Sequence, residues 1–363
     1  MQHDTLTFQP RFELIRQQFN AFWEDEPPKR PLVWAEVPRD PARPFRESDS
    51  LQALRYFRAA RGEWAEQLAC VERWLESTLF LGEAIPYFAP DFGPDQFAAF
   101  LGAPLHFSET NPETNWVEPI LESLEGFNPA INGGSVVWNG ILEYARTVAE
   151  HARGRYLVGV CDFHSNMDAI SALRSPQNLC MDLLDCPGEV ARVSAALKDL
   201  YCPVYAALYG ASGFNSQTGT IGWAPFWAPG RFAVVQADFS CMIGSGDFRR
   251  HVLPGIQREA ASLDRSMYHL DGPDALRHLD DVLGLPEIDI LQWVPGAGQK
   301  PMWQWTGVLK RGLAAGKALY IYDITPEQVK FVHRELRSRR CLYHVNASSA
   351  QEVESLLAWL EKH

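Results

Sequence analysis

The sequence predicts an α/β protein, a (β/α)8 TIM barrel with extra N-terminal helices and a long loop over the barrel mouth. Three observations lead there. The chain has 363 residues, an ordinary length for one α/β barrel with insertions. Short apolar runs rich in β-formers alternate with helical patterns, the signature of βα units on a parallel sheet. No glycine-rich phosphate loop follows the first run, which argues against an open doubly wound sheet and against a nucleotide cofactor.

Eight runs read as strands: 31–36 (PLVWAE), 84–88 (AIPYF), 156–162 (YLVGVCD), 232–239 (FAVVQADF), 265–271 (RSMYHLD), 288–294 (IDILQWV), 318–323 (ALYIYD) and 341–346 (CLYHVN). Each precedes helical material. The last helix, over 349–362, carries Val353, Leu356, Leu357 and Leu360 at i, i+3, i+4, i+7 spacing, with Ser348 or Ser349 to cap it. Residues 1–30 are expected as a helical extension packed on the barrel, and 91–150, too long for one βα loop, as added helices over the mouth. The Gly-, Trp- and Pro-rich segment 212–230 reads as a lid-like loop. Residues 1–363 are expected to form one domain.

Composition limits the function. Hydrophobic residues make up 46% and charged residues 21%, which fits a globular chain with a large core and excludes disorder. No run approaches the ~20 apolar residues a membrane span needs. The N-terminus has no basic start followed by an apolar run, so no secretory signal is read there. The seven cysteines, at 70, 161, 180, 186, 202, 241 and 341, include no CxxC pair. Reduced thiols and a cytoplasmic location are therefore expected. A net charge of −12 without a basic stripe argues against nucleic acid, leaving a small-molecule substrate as the expected partner.

In a barrel, function collects where strands end. The predicted ends deliver Trp34 and Glu36, Asp91, Asp162 and His164, Asp238 with Cys241 beyond it, His269 and Asp271, Gln292 and Trp293, Tyr322 and Asp323, and His344 and Asn346. Acids and imidazoles at such positions need partners or a task. The sharpest feature is Tyr268-His269-Leu270-Asp271-Gly272-Pro273. Residues i and i+2 of a strand share a face, so His269 and Asp271 can chelate a metal or form an acid/base pair. The plainer reading is an Asp that caps the next helix and a His satisfied by backbone. Asp162-Phe163-His164 has the same spacing. Trp223 and Trp227, in WAPFWAPG, either cover substrate or pack their loop down.

Four stretches together resemble the uroporphyrinogen decarboxylase superfamily, most clearly over 150–360. DFSCMI (238–243), with Asp247-Phe248 and Val252-Leu253-Pro254, resembles the family's Ser-Pro-x-x-Phe and aromatic-x-x-Pro pattern. His269-Leu270-Asp271-Gly272 resembles the His-x-Cys-Gly strand of its corrinoid–coenzyme M zinc methyltransferases. Asp323 to Val329 (DITPEQV) resembles their Thr-Pro-Glu-x-Val, and His344 falls where a later strand carries a second Cys. The resemblance implies a divalent metal, zinc first, at His269, Asp271 and His344, with both thiolates replaced. It also implies methyl or one-carbon transfer and a corrinoid protein as partner. On this reading Asp162, His164 and Asp238 are catalytic. Trp34, Trp223, Trp227, Tyr268, Gln292, Trp293 and Asp323 bind substrate. The decarboxylase's own Arg-rich motif is not recognisable in Val37-Pro38-Arg39-Asp40-Pro41-Ala42-Arg43, which argues against uroporphyrinogen itself. Two other readings stay open. One is a carbohydrate-active enzyme with an Asp acid/base pair in a Trp-lined pocket; the other is a barrel that binds a small ligand without catalysis.

Overall fold

The computed structural model describes residues 5–24, 28–42, 55–108 and 115–363. Its strands are β1 (Leu32–Pro38), β2 (Thr78–Gly82), β3 (Tyr87–Phe88), β4 (Leu105–Phe107), β5 (Asn115–Val117), β6 (Leu157–Val160), β7 (Thr220–Gly222), β8 (Trp227–Ala228), β9 (Phe232–Gln236), β10 (Arg265–Asp271), β11 (Ile290–Val294), β12 (Ala318–Ile324) and β13 (Cys341–Val345). All eight expected strands are present, as β1, β3, β6 and β9 to β13. They do not form one hydrogen-bonded ring. A seven-stranded sheet runs β2-β1-β13-β12-β11-β10-β9, and a four-stranded sheet runs β3-β6-β7-β8.

The six expected strands of the larger sheet pair in parallel, and β2 adds an antiparallel edge against β1. The smaller sheet departs most from expectation. The segment 212–230 is not a free loop. Thr220 and Ile221 are fully buried, β7 pairs in parallel with β6, and β8 folds back on β7. A three-residue strand is too short to leave a period among Gly, Pro and Trp, and burial rather than propensity fixes it. Likewise 91–150 holds the small β4–β5 hairpin besides the helix Val136–Ala152.

Helices cover these strands by the usual apolar stripes. The helix Phe12–Trp23 buries Phe12, Ile15, Phe19 and Phe22. It packs aromatic on aromatic against Phe226 and Trp227, with ring centroids 5.5 and 6.0 Å from Phe19. Thr325-Pro326-Glu327-Gln328 opens the helix Pro326–Leu336 as a capping box: the Thr325 hydroxyl accepts from the Gln328 amide, and the Gln328 side chain accepts from Thr325 N. The start of β1 is pinned by Glu83, almost fully buried. It accepts from both terminal nitrogens of Arg30 at 2.7 and 3.0 Å and from Val33 N at 2.8 Å. Among the described residues no helix is long and apolar enough to cross a membrane, and all seven cysteines are free.

Candidate active site

The C-terminal strand ends surround an open cavity of about 480 Å³. Its wall is aromatic and polar: Tyr87 of β3, the second expected strand, Trp223 at the β7–β8 turn, His269, Gln292, Tyr320, Tyr322, Asp323, His344 and Asn346. Trp223 reaches it because β7 runs parallel to β6 and so delivers its end to the same rim. Tyr87 donates to the Trp223 carbonyl at 2.7 Å, tying the two sides of this wall together.

Over the last four residues of β10, 268–271, the burial alternates as the period-two rule requires. His269 and Asp271 are half-buried, while Tyr268 and Leu270 are buried. His269 is paired in register with Gln292 of β11, whose Oε1 lies 2.8 Å from His269 Nδ1. An accepting amide oxygen keeps the proton on Nδ1 and leaves Nε2 as the lone-pair nitrogen. Asp238 heads the short 3₁₀ helix Asp238–Met242, not the end of a longer β9, because the strand stops at Gln236. Ligand atoms of Asp238, His269 and Asp271 all lie within 4.8 Å of one another. Burial and then the Asp238 charge push the Asp271 carboxyl above its ordinary range, against the opposing pull of His269 and His164.

A second cluster adjoins the first. His164 Nε2 is 3.2 Å from Asp162 Oδ2. Burial alone would lower His164, but Asp162, Asp238 and Asp168 outweigh it and hold the imidazole up at about 10. His164 is therefore a cation at neutral pH. Asp162 is fixed by Gln236 Nε2, which donates to its Oδ1 at 3.1 Å, and by Gln96 Nε2, which donates to its carbonyl at 2.7 Å. Asp168, from the helix Asn166–Arg174, accepts from the amides of Asp238 at 2.9 Å and Phe239 at 2.7 Å. Burial and then Asp238 raise its carboxyl to about 7, against His164 and those two amides.

The structure thus brings Asp162, His164, Asp238, His269 and Asp271 together, and it sets His269, Gln292, Asp323, Trp223 and His344 on one cavity. Five expectations need correction. His344 does not complete the His269–Asp271 pair. Among the described residues the ligand atoms that lie within 4.8 Å of one another belong to Asp238, His269 and Asp271, so Asp238 takes the third place, while His344, lowered by burial to about 4, has its Nδ1 2.8 Å from the Tyr320 hydroxyl. Trp227 is fully buried; its indole donates to the Thr218 carbonyl at 2.8 Å, and its ring packs on the N-terminal helix. Trp293 is fully buried because its neighbour Gln292 takes the cavity-facing parity; it packs edge-on against Trp305 at 5.2 Å. Tyr268 is also buried and does not border the cavity. Trp34 is buried as well, supporting the wall from behind, 6.0 Å from the Tyr87 ring and 6.3 Å from that of His344. Sequence reasoning missed Asp168, Gln96, Tyr87 and Tyr320. Gln236, a lone amide in the apolar run FAVVQ, was open to recognition.

A divalent metal fits the first cluster. Asp238 Oδ1 is buried and has no hydrogen-bond partner, a cost of ~1–3 kcal/mol that a cation would remove. One imidazole and two carboxylates suit Zn(II), Fe(II) or Mn(II) better than a thiolate-selective ion. Asp238, His269 and Asp271 would hold it.

The fold is shared with a methyltransferase from Methanosarcina mazei. The TM-score is 0.51 at 13% identity, over 76% of this chain and 80% of that chain. No protein-family model matches the sequence, and no curated protein matches it.

Proposed function

We propose that the chain is a divergent enzyme of the uroporphyrinogen decarboxylase superfamily, built on its barrel, that carries out metal-assisted methyl or one-carbon transfer on a small organic molecule. One observation carries the reading: an unpaired buried carboxylate oxygen of Asp238 within a His–Asp–Asp cluster, beside an aromatic cavity at the strand ends. The bound ion would supply Lewis-acid activation of the group that reacts there. The protein's own residues do the rest. Asp162 keeps His164 charged, so His164 can give its proton to a departing alkoxide or amine as that atom's bond to carbon breaks. Tyr87, Trp223, Tyr320 and Tyr322 offer flat apolar faces, and Gln292 and Asn346 offer polar contacts that orient the substrate. A corrinoid protein is the partner that the sequence resemblance implies.

No Lys or Arg among the described residues borders the cavity, and Arg39 is occupied by the carbonyls of Glu76 and Thr78. Arg43 lies outside the described residues. A polycarboxylate such as uroporphyrinogen therefore lacks its counter-charges here. A neutral or cationic substrate suits the four aromatic rings and Asp323 better. The same wall also suits a sugar, and this is the second reading. Asp162, Asp238 and Asp271 would then supply acid and base without a metal. The acids and imidazole pushed far from their ordinary ranges speak against a barrel that only binds.

Elemental analysis of protein purified without chelator or affinity tag separates these. The proposal expects about one divalent ion per chain, lost in His269→Ala and Asp238→Asn but kept in His344→Ala. Wild-type protein that never contains a metal, or a folded His269→Ala protein with full metal content, moves the weight to the carbohydrate reading.

A further inference from the structure

The opposite face of the fold carries a charge anomaly. A pocket of about 590 Å³ lies at the N-terminal ends of β1 and β13, between Pro31 and Arg339, away from the strand-end cavity. Lys29, Arg334, Arg337, Arg339 and Lys362 line it, and among the described residues Glu361 is the one acidic side chain in its wall. The chain as a whole has 45 acidic residues against 33 Lys and Arg, so five clustered cations run against the global charge. None of these five exposed cations forms an ion pair with a described acid, whereas Arg30, Arg155, Arg174 and Arg265 each do; Arg334 lies over the Trp359 ring, and Arg337 and Arg339 each give one donor to a backbone carbonyl, leaving their other guanidinium N–H groups for a ligand. His333, 6% exposed, forms part of the pocket and leaves its Nδ1 buried without a partner.

Helix ends account for part of this. Arg334 and Arg337 sit at the C-terminus of Pro326–Leu336, and Lys362 just beyond Ala350–Leu360, where a cation is favoured by ~0.3–1 kcal/mol. Lys29 and Arg339 belong to no helix, and a helix dipole does not require the cations to converge on a concavity. Cations held together repel one another unless an anion lies between them. Guanidinium forks match phosphate oxygens in bidentate geometry, and the volume is that of a small-molecule site.

We infer that this pocket binds a phosphorylated small molecule carrying at least two phosphate charges, an effector or anchoring site separate from the mouth. The test uses inorganic pyrophosphate as the probe, by isothermal titration calorimetry on chelator-treated protein in ~0.15 M salt, where exposed charges are screened beyond ~8 Å. Wild type should bind with a sub-millimolar Kd. The double variant Arg334→Gln/Arg339→Gln should weaken binding at least tenfold, while Arg249→Gln, an exposed arginine paired with Asp281 elsewhere, should not. Circular dichroism and the thermal midpoint confirm that the variants are folded. No binding by wild type, equal affinity in the double variant, or tighter binding of citrate than of pyrophosphate overturns the inference. The outcome does not depend on the metal at the mouth.

Discussion

Replacing Asp162 by Asn removes the nearest counter-charge of His164 and leaves the shape almost unchanged. The new amide oxygen can still accept from Gln236, which now donates to Asp162 Oδ1 at 3.1 Å. In the native protein, burial works to neutralise His164, and Asp162 at 3.2 Å, with Asp238 and Asp168, holds it at about 10 instead of the ordinary 6.5. At ~1.4 kcal/mol per pH unit that rise corresponds to ~5 kcal/mol of preference for the charged form. Three acids share it and Asp162 is the one in contact, so its loss should remove about half, ~2–3 kcal/mol; breaking a buried pair is known to cost ~3–5 kcal/mol. The sign follows from the folded state holding its proton more tightly than the unfolded chain. The stabilisation is complete below pH 6.5 and is lost as pH rises towards 10, at ~1.4 kcal/mol per unit. Urea unfolding in chelator between pH 6 and 9.5 reads this directly, with NMR titration of His164 alongside. Asp162→Asn should be less stable than wild type at pH 6 and should show a shallower decline above pH 7. A wild-type His164 that titrates near 6.5, or a variant as stable as wild type at pH 6, refutes the electrostatic account.

Trp227→Ala should destabilise the fold by ~3–5 kcal/mol in urea, as a large buried ring does, and should leave metal content of the folded protein unchanged; loss of metal at unchanged stability would return Trp227 to the mouth. At Gly159 an added Cβ would stand 2.9 Å from both Ala89 Cβ and Tyr87 Cδ2. Gly159→Ala should therefore lose ~1–3 kcal/mol by overpacking, read by urea unfolding; a variant as stable as wild type would show that Ala89 and Tyr87 yield at no cost. Cys241→Ser should retain full metal content in elemental analysis, because Cys241 lies outside the Asp238–His269–Asp271 cluster; a metal-depleted serine variant would show that its sulfur is a ligand.

The strands were legible because burial on a sheet writes a local signal. Runs such as RSMYHLD and ALYIYD combine β-formers with the short length typical of a strand, and they fall at β10 and β12. The i, i+2 parity of His269 and Asp271 was equally legible, since it depends on the pleat alone. The same parity assigns Gln292 to the cavity and Trp293 to the core, but choosing between them requires knowing which face is inward. β7 was hidden because three residues carry no period, and it took shape only through burial against β6 and β8.

The sequence by itself determined the order of βα units, the strand ends that carry polar groups and the His269–Asp271 pair, all of which are written in nearest-neighbour chemistry. Tertiary structure decided which groups meet. Asp238 joins His269 and Asp271 because β9 lies beside β10, whereas His344, on β13, is claimed by Tyr320 of the adjacent β12. It placed Asp168 under the Asp238 amide from a helix 70 residues earlier. It also gathered Lys29, 305 to 333 residues from its fellow cations, into one basic pocket (334 − 29 = 305; 362 − 29 = 333). Contacts between side chains so far apart in sequence depend on how whole elements pack, and no local pattern of residue types carries that information.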